Sequence, residues 1–326
     1  MIIRKIFSGM ELMRFDETIQ AKDIEKFFEG EIPEKVKKHV VELNLKFRKI
    51  SDEEYLSQKN EYLKFLDETI IPSGPKRKKI WQNGWGQNLE DALENGISRE
   101  TLLPYYYKRG VSLMRYKGEY ILPEDDRFEQ KFLSIIQYTL AAKYFKDYDN
   151  IYELGCGPCH NIFEFSQQLT NKNFYTSDWV EPTVTISNLL EKNKHELGIG
   201  SHNFRPQLLD LFNPNLQFEL KPNSVVLTFG SMEQLGENFD KLLEFFLNGN
   251  CNNFIHMEPI LELYDREYEI DDLAYRYSIK RNYLIGFLPK LEELQKQSRI
   301  KIHSCQRIIG SAFHDGWTFL RWEKLK

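Results

Sequence analysis

From about residue 131 onward the chain alternates strand-like and helix-like segments, and this alternation constrains the fold more than any other feature. A helical pattern passes through Ala141 and Phe145. A short apolar strand covers residues 151–154, a helix starts near His160, a strand covers 173–177, and a helix carries Leu189 and Leu190. Strand patterns follow near 205–209, 224–228 and 253–257, with a helical stretch at 241–247 before the last of them. Strands that take turns with helices build a parallel sheet covered on both faces. The ending differs. Residues 300–309 and 317–322 are two β-rich runs joined by Gly-Ser-Ala-Phe-His-Asp-Gly without a helix, which predicts a closing antiparallel hairpin.

The first 72 residues read as a helical region. Val36, Val40, Leu43 and Phe47 recur at helical spacing, as do Tyr55, Tyr62, Leu63 and Leu66, and Ser51 with Glu54 forms a capping box before the second set. A Pro/Gly/Lys stretch at 71–79 breaks the pattern and predicts a solvated loop. Residues 73–129 are rich in aromatics, including Trp81, Trp85, Tyr105, Tyr106 and Tyr107, with weak periodicity. They suit two jobs equally: a lid that touches substrate, or packing of the helical region onto the rest.

With 44 Lys+Arg against 49 Asp+Glu, the formal charge of -5 supplies no global field for nucleic acid. Residues 1–8 lack the unbroken apolar run of about 7 to 15 residues of a secretory signal. No segment has the roughly 20 apolar residues that span a bilayer. Four cysteines over 326 residues then read as reduced thiols, and the expectation is a cytoplasmic protein without a membrane partner.

The chemistry concentrates in Ile151-Tyr152-Glu153-Leu154-Gly155-Cys156-Gly157-Pro158-Cys159-His160-Asn161, where a strand ends in an acid and glycines lead into a helix. Glycine is required where backbone turns sharply and approaches a ligand with no Cβ between. Asp178 ends the next strand about 20 residues on, where an acid can accept hydrogen bonds from ribose hydroxyls. Three rivals share these letters. Cys156 with Cys159 spells a thioredoxin-like redox pair, and His160 extends it to a haem attachment site. The first belongs in a much smaller fold and the second in an exported chain. A dinucleotide fingerprint wants a third glycine where His160 stands.

The motif resembles the first motif of class I S-adenosylmethionine-dependent methyltransferases, with Cys159 in place of a third glycine. The resemblance extends from residue 130 to 326 and implies a Rossmann-like α/β fold. Its sheet would be seven-stranded and mostly parallel with an antiparallel last strand, helices would lie on both faces, and the helical N-terminal region would be an extension. It implies S-adenosyl-L-methionine as cofactor and S-adenosyl-L-homocysteine as product. Glu153 and the turn at Gly155, Cys156 and Gly157 would hold the methionine end, Asp178 the ribose, and Trp179 the adenine face. Asp210 would meet the adenine amino group with Leu211 beside it, and Phe229 and Gly230 would border the sulfonium.

Ligands of parallel sheets bind beyond the carboxyl ends of the strands, which singles out Glu233, His256 and Glu258. His256 and Glu258 are two apart on one strand and share a face, an arrangement able to deprotonate a hydroxyl. His314 beside Asp315, in the final turn, is a further candidate. No Cys/His cluster beyond the Cys156 pair has metal-ligand spacing, so no metal is expected. After the fourth strand the chain reads Thr228-Phe229-Gly230-Ser231-Met232-Glu233, without the Asn/Asp-Pro-Pro-aromatic signature of enzymes that methylate amino groups of DNA bases. The expected acceptor is therefore a hydroxyl or amine on a small polar molecule, a sugar or other metabolite, with no nucleic acid partner. Two alternatives stay open: a non-catalytic cofactor-binding partner or regulatory subunit, and a protein methyltransferase that docks its substrate through the N-terminal third.

Overall fold

A computed structural model describes residues 14–110, 112–215 and 218–325. Residues 1–8, read above for a secretory run, lie outside them. In chain order the first half holds β1 (Glu17–Thr18), α1 (Ala21–Phe27), α2 (Glu34–Leu43), β2 (Lys46–Lys49), α3 (Asp52–Asp67), α4 (Lys78–Asn95), α5 (Arg99–Leu102), β3 (Met114–Tyr116), β4 (Glu119–Pro123) and α6 (Phe128–Thr139). The second half holds β5 (Asn150–Leu154), α7 (His160–Ser166), β6 (Asn173–Asp178), α8 (Glu181–Asn193), β7 (Asn203–Leu208), β8 (Ser224–Phe229), α9 (Asp240–Asn248), β9 (Asn253–Glu258), α10 (Glu269–Arg281), α11 (Phe287–Lys296), β10 (Ile300–Ser311) and β11 (Trp317–Lys324).

All the strands join one sheet in the order β1-β2-β4-β3-β10-β11-β9-β8-β5-β6-β7. The run β9-β8-β5-β6-β7 is parallel. β11 inserts antiparallel between β9 and β10. Along the parallel strands, side chains alternate between two cores as the pleat requires. Ile151, Phe174 and Val225 point to one face, against α6, α7 and α8. Tyr152, Tyr175 and Val226 point to the other, against α9 and α11. Trp322, fully buried, stacks on Phe254 at 4.1 Å between centroids and fills the second core where β11 meets β9.

The expected sheet of seven strands is corrected to eleven. Two of the additional strands, β1 and β2, come from the first 72 residues, which are not simply a helical extension, and two, β3 and β4, come from the segment 73–129. Phe47, read as the last apolar residue of a helix, lies in β2 and pairs with Glu17 and Pro123. The helix stops before it because Asn44 takes a left-handed conformation, φ 45°, which caps the C-terminus and redirects the chain. β3 then bonds to β10 through Tyr116–Ile309, Arg115–Gly310 and Met114–Ser311, so the first and last parts of the chain share one ladder. α3 begins where its capping box sits, with the Glu54 N–H donating to Ser51 Oγ and the Ser51 N–H donating to Glu54.

A cluster of charge buried under the β10–β11 turn fastens this edge. Arg115 on β3 is 0% exposed and donates to Asp271 Oδ1 at 2.6 Å, to the Ile270 carbonyl at 2.8 Å and to Asp315 Oδ2. Arg307 on β10 bridges the same two acids at 2.7 and 2.6 Å. Burial alone would push the Asp315 carboxyl up, but Arg115 and Arg307 more than offset it and hold it below the usual carboxylate range. Removing one member of such a cluster strands the opposite charge. Arg115→Met is expected to cost about 3–5 kcal/mol of stability in urea unfolding, and the R115M/D315N double variant to regain part of that loss.

Candidate functional site

The segment from β5 to α7 makes a turn that only glycine fits. Gly155 has φ +75°, and a Cβ there would sit 2.3 Å from Ser231 Cβ. Gly157 has φ +54°, and its Cβ would press on the Trp85 ring at 3.0 Å. The Gly155 and Cys156 N–H groups both donate to the Ser177 carbonyl, at 2.7 and 2.9 Å, which stitches the turn to the end of β6. Asp178, next on β6, accepts from the Gly157 N–H at 3.0 Å through Oδ2. The turn, the acid and the crevice beyond them lie at the carboxyl ends of β5 and β6, where open α/β sheets bind ligands.

A slot of about 50 Å³ follows that crevice, bordered by Gly155, Asp178, Trp179, Leu211, Gly230 and Ser231, with Trp81 and Trp85 across it. Trp179 stacks on Phe212 at 5.9 Å. Asp210 turns back and accepts from the Phe212 N–H at 2.9 Å, so Leu209, Leu211 and Phe212 line the slot here. A second cavity, about 430 Å³, continues from the turn and is bordered by Glu153, Cys156, Phe229, Glu233 and His314.

Three buried polar atoms beside the turn have no partner: Asp178 Oδ1, Glu153 Oε2 and His160 Nε2. An unpaired buried polar atom costs about 1–3 kcal/mol unless a ligand satisfies it. Glu153 Oε1 accepts from Asn161 Nδ2 at 2.7 Å, which leaves only Oε2 free. His160 Nδ1 accepts from Gln137 Nε2 at 3.1 Å, so the proton resides on Nε2 and that free atom is a donor. Burial pushes the Glu153 carboxyl up to about 8 and Asp178 to about 7, and drives His160 down to about 3, keeping its ring neutral. The sequence offered His160 only as part of a haem motif. Its role at the turn becomes visible through Gln137 on α6, 23 residues away in sequence.

The structure separates the three catalytic candidates. His256 is 0% exposed and buried within the sheet, with both ring nitrogens engaged. Trp322 Nε1 donates to His256 Nε2 at 2.9 Å, and Nδ1 pairs with Thr228 Oγ1 at 2.8 Å. It does not border the cavity, and burial lowers its pKa to about 3, which keeps the ring neutral. Glu258 is buried too, and its oxygens accept from the N–H groups of Ser231, Met232 and Glu233 at 3.0, 3.1 and 3.2 Å. Both assignments as a base are therefore corrected: His256 is a core histidine, and Glu258 fastens the loop after β8. His314 does border the cavity, stacked on Tyr277 at 5.3 Å and lowered to about 4 by burial.

Glu233, which the sequence also singled out, and Glu129, which it did not, face the cavity instead. Glu233 borders it, accepts from Gln234 Nε2 at 2.9 Å, and is raised to about 8 by burial and by Glu258 nearby. Glu129, on α6, is raised to about 7 by burial. The stretch 73–129 contributes Arg77, Trp81, Trp85, Tyr106, Tyr107 and Arg109 to the border. The sequence showed its aromatics but not that residues 78–95 form an 18-residue helix, because only Trp85, Asn88 and Ala92 of α4 are buried and the pattern is correspondingly faint. Cys156 and Cys159 lie with Sγ atoms 3.8 Å apart as free thiols. Among the described residues, no helix is long and apolar enough to cross a membrane.

The raised carboxyls fix a pH dependence. Glu153 keeps its proton in the native state up to about pH 8, whereas the unfolded chain releases it near 4.5. The stability linked to this group is thus fully present below the lower value and is lost as pH rises through the upper one. In thermal melts of the ligand-free protein, Glu153→Gln is expected to gain midpoint relative to the native sequence as pH rises through that window. A difference that stays flat across it contradicts the assignment.

No protein-family model matches the sequence, and no curated protein matches it. Among solved structures the chain is similar to the [4+2]-cyclase SpnF, with TM-score 0.48, 9% identity and coverage of 78% of this chain and 97% of that one. It is also similar to the 16S rRNA methylase ArmA, with TM-score 0.40, 13% identity and coverage of 74% and 98%. A third is the magnesium protoporphyrin IX methyltransferase ChlM from Synechocystis PCC 6803 with bound SAM, at TM-score 0.40, 12% identity and coverage of 60% and 79%. The strand order from β7 to β10, with β11 antiparallel between its neighbours, is the arrangement implied by the resemblance in sequence. The sheet therefore has the strand arrangement that the resemblance implied, widened by four strands at one edge.

Proposed function

We propose that the chain is an S-adenosylmethionine-dependent methyltransferase whose acceptor is a small polar molecule. The observation that carries this reading is the pair of unpartnered carboxylate oxygens, Asp178 Oδ1 and Glu153 Oε2, flanking a glycine turn that has no room for a side chain. These atoms suit the cofactor's chemistry. Asp178 Oδ1 would accept from the ribose hydroxyls, while Glu153 Oε2 would face the amino group of the methionine end. The His160 Nε2–H would donate to its carboxylate. Trp179 and Leu211 would contact the adenine, with Asp210 behind them holding the loop, and Phe229, Gly230 and Cys156 would border the sulfonium.

The cofactor supplies an electrophilic methyl carbon when bound, and the chain's own work is to position an acceptor and exclude water. Residues 73–129 act as a lid in this reading. Trp85 covers Gly157, and Trp81 Nε1 donates to Gln234 Oε1 at 3.4 Å, tying α4 to the loop after β8. Glu233 takes the place of His256 and Glu258 as the group that removes a proton from an acceptor hydroxyl or amine. With its pKa raised to about 8, only a minor fraction is deprotonated near neutral pH, but that fraction is a stronger base than an ordinary carboxylate. A cavity of about 430 Å³ suits a small acceptor better than a folded protein or a duplex.

Calorimetry with S-adenosylmethionine and S-adenosylhomocysteine tests the central claim. Saturable binding is expected for the native chain, with a loss of about 100-fold or more in Asp178→Ala and in Gly155→Val. No saturable binding up to millimolar ligand overturns the reading. Once a labelled-methyl screen supplies an acceptor, Glu233→Gln is expected to lower kcat by about 10²–10⁴ while leaving S-adenosylhomocysteine affinity unchanged. Equal turnover in that variant removes Glu233 from the role.

A further inference from the structure

We propose that the acceptor is an anionic molecule, a carboxylate carried on a flat ring body, held by the guanidinium groups of Arg77, Arg109 and Arg281. This inference rests on the methyltransferase reading above and names the substrate class of its cavity. The three arginines come from three separate parts of the chain: the turn before α4, the loop after α5, and the end of α10. All three border the one cavity of about 430 Å³.

Elsewhere this protein pairs its partly or fully buried arginines with acids. Arg48 meets Glu54 at 2.7 Å, Arg115 and Arg307 share Asp271 and Asp315, and Arg321 meets Glu29 at 2.8 Å. The cavity arginines are different. Arg77 contacts only neutral groups, Ser73 Oγ at 3.3 Å and the Trp81 ring at 5.3 Å. Arg281 donates to the Tyr277 hydroxyl at 3.2 Å and lies over the Phe65 and Tyr277 rings. Arg109 is exposed at the border, and among the described residues it forms no ion pair. Ring contacts flank the guanidiniums of Arg77 and Arg281, and among the described residues none of the three arginines forms an ion pair, Glu233 acting on Arg77 and Arg281 and Glu129 on Arg109 only from a longer distance.

The acids in the same cavity do not supply that counter-ion in full. Burial raises Glu129, Glu153 and Glu233 to about 7, 8 and 8, so near neutral pH much of their population is protonated. The arginines remain positive. A fork of guanidinium N–H groups matches a carboxylate better than it matches any neutral oxygen, and in a partly dry cavity that match is strengthened. Four aromatic side chains, Trp85, Tyr106, Tyr107 and Trp317, also border the cavity, and such rings favour a flat partner over a flexible aliphatic one.

The test uses the full chain saturated with S-adenosylhomocysteine and a set of matched probes: 4-hydroxybenzoate, 4-hydroxycinnamate and indole-3-acetate, each beside its primary amide. Calorimetry is expected to find at least one acid bound about tenfold or more tighter than its amide. In Arg281→Gln and Arg77→Gln that preference should vanish while S-adenosylhomocysteine affinity holds. Arg109→Gln, at an exposed position, serves as the third variant should either of the others lose its fold by circular dichroism. The proposal is overturned if no acid binds tighter than its amide, or if the preference survives in every folded variant. Acid preference without any binding of S-adenosylhomocysteine would sink the methyltransferase reading and leave the anion site standing.

Discussion

The buried quartet of Arg115, Arg307, Asp271 and Asp315 is the interaction on which the remaining architecture depends. It joins β3, β10, α10 and the turn that ends in Asp315, four segments drawn from both halves of the chain. Each charge is desolvated, so the quartet gains little net free energy over an apolar core, but it tolerates only one arrangement. That arrangement places His314 and the end of α10 beside the carboxyl ends of the parallel strands. Tyr62 on α3 donates to the Phe313 carbonyl in the same turn, and Tyr264 accepts from the Asp315 N–H at 2.9 Å, so an aromatic layer closes over the charges. Through His314 and Arg281 this corner forms part of the cavity's border.

On the opposite side of the crevice the constraint is steric. The turn after β5 approaches Ser231 so closely that Gly155 admits no Cβ, and Ser231 is in turn held by Glu258 and by its own hydroxyl, which donates to the Leu154 carbonyl at 2.8 Å. Glu258 thus acts through backbone: its two oxygens fix the loop that presents Gly230 and Glu233. The polar site is assembled from groups whose hydrogen-bonding capacity the protein itself leaves incomplete, and that incompleteness points to what must enter.

Much of this was legible in the sequence, for reasons that can be located. The parallel strands stood out because both of their faces are buried, so residues such as Val225, Val226 and Leu227 form continuous apolar runs. The turn at Gly155 and Gly157 was legible because its backbone demands a rare residue. The strands at the added edge were not, since β1, β2 and β3 are two to four residues long, too short to show a period. His256 and Glu258 misled because period-two spacing reports a shared face of a strand but not whether that face looks into a cavity or into Trp322. Of the cavity arginines, Arg77 stood in a basic run, Lys76-Arg77-Lys78-Lys79, that read as a solvated loop face, while Arg109 and Arg281 carried no local signal and are brought to the cavity only by tertiary structure.

The ladder between β3 and β10 also has a consequence in time. Arg115 and Asp315 stand 200 residues apart in sequence, and β3 can complete its pairing only with a strand near the other end of the chain. During synthesis the N-terminal strands therefore emerge well before their partner exists, with β3 exposing an unpaired edge until β10 and β11 leave the ribosome. Contacts of such long range fold slowly and leave open edges available to other chains. The short lengths of those strands and the charges of Lys46, Lys49 and Lys117 around them are what a chain needs to stay unentangled while it waits.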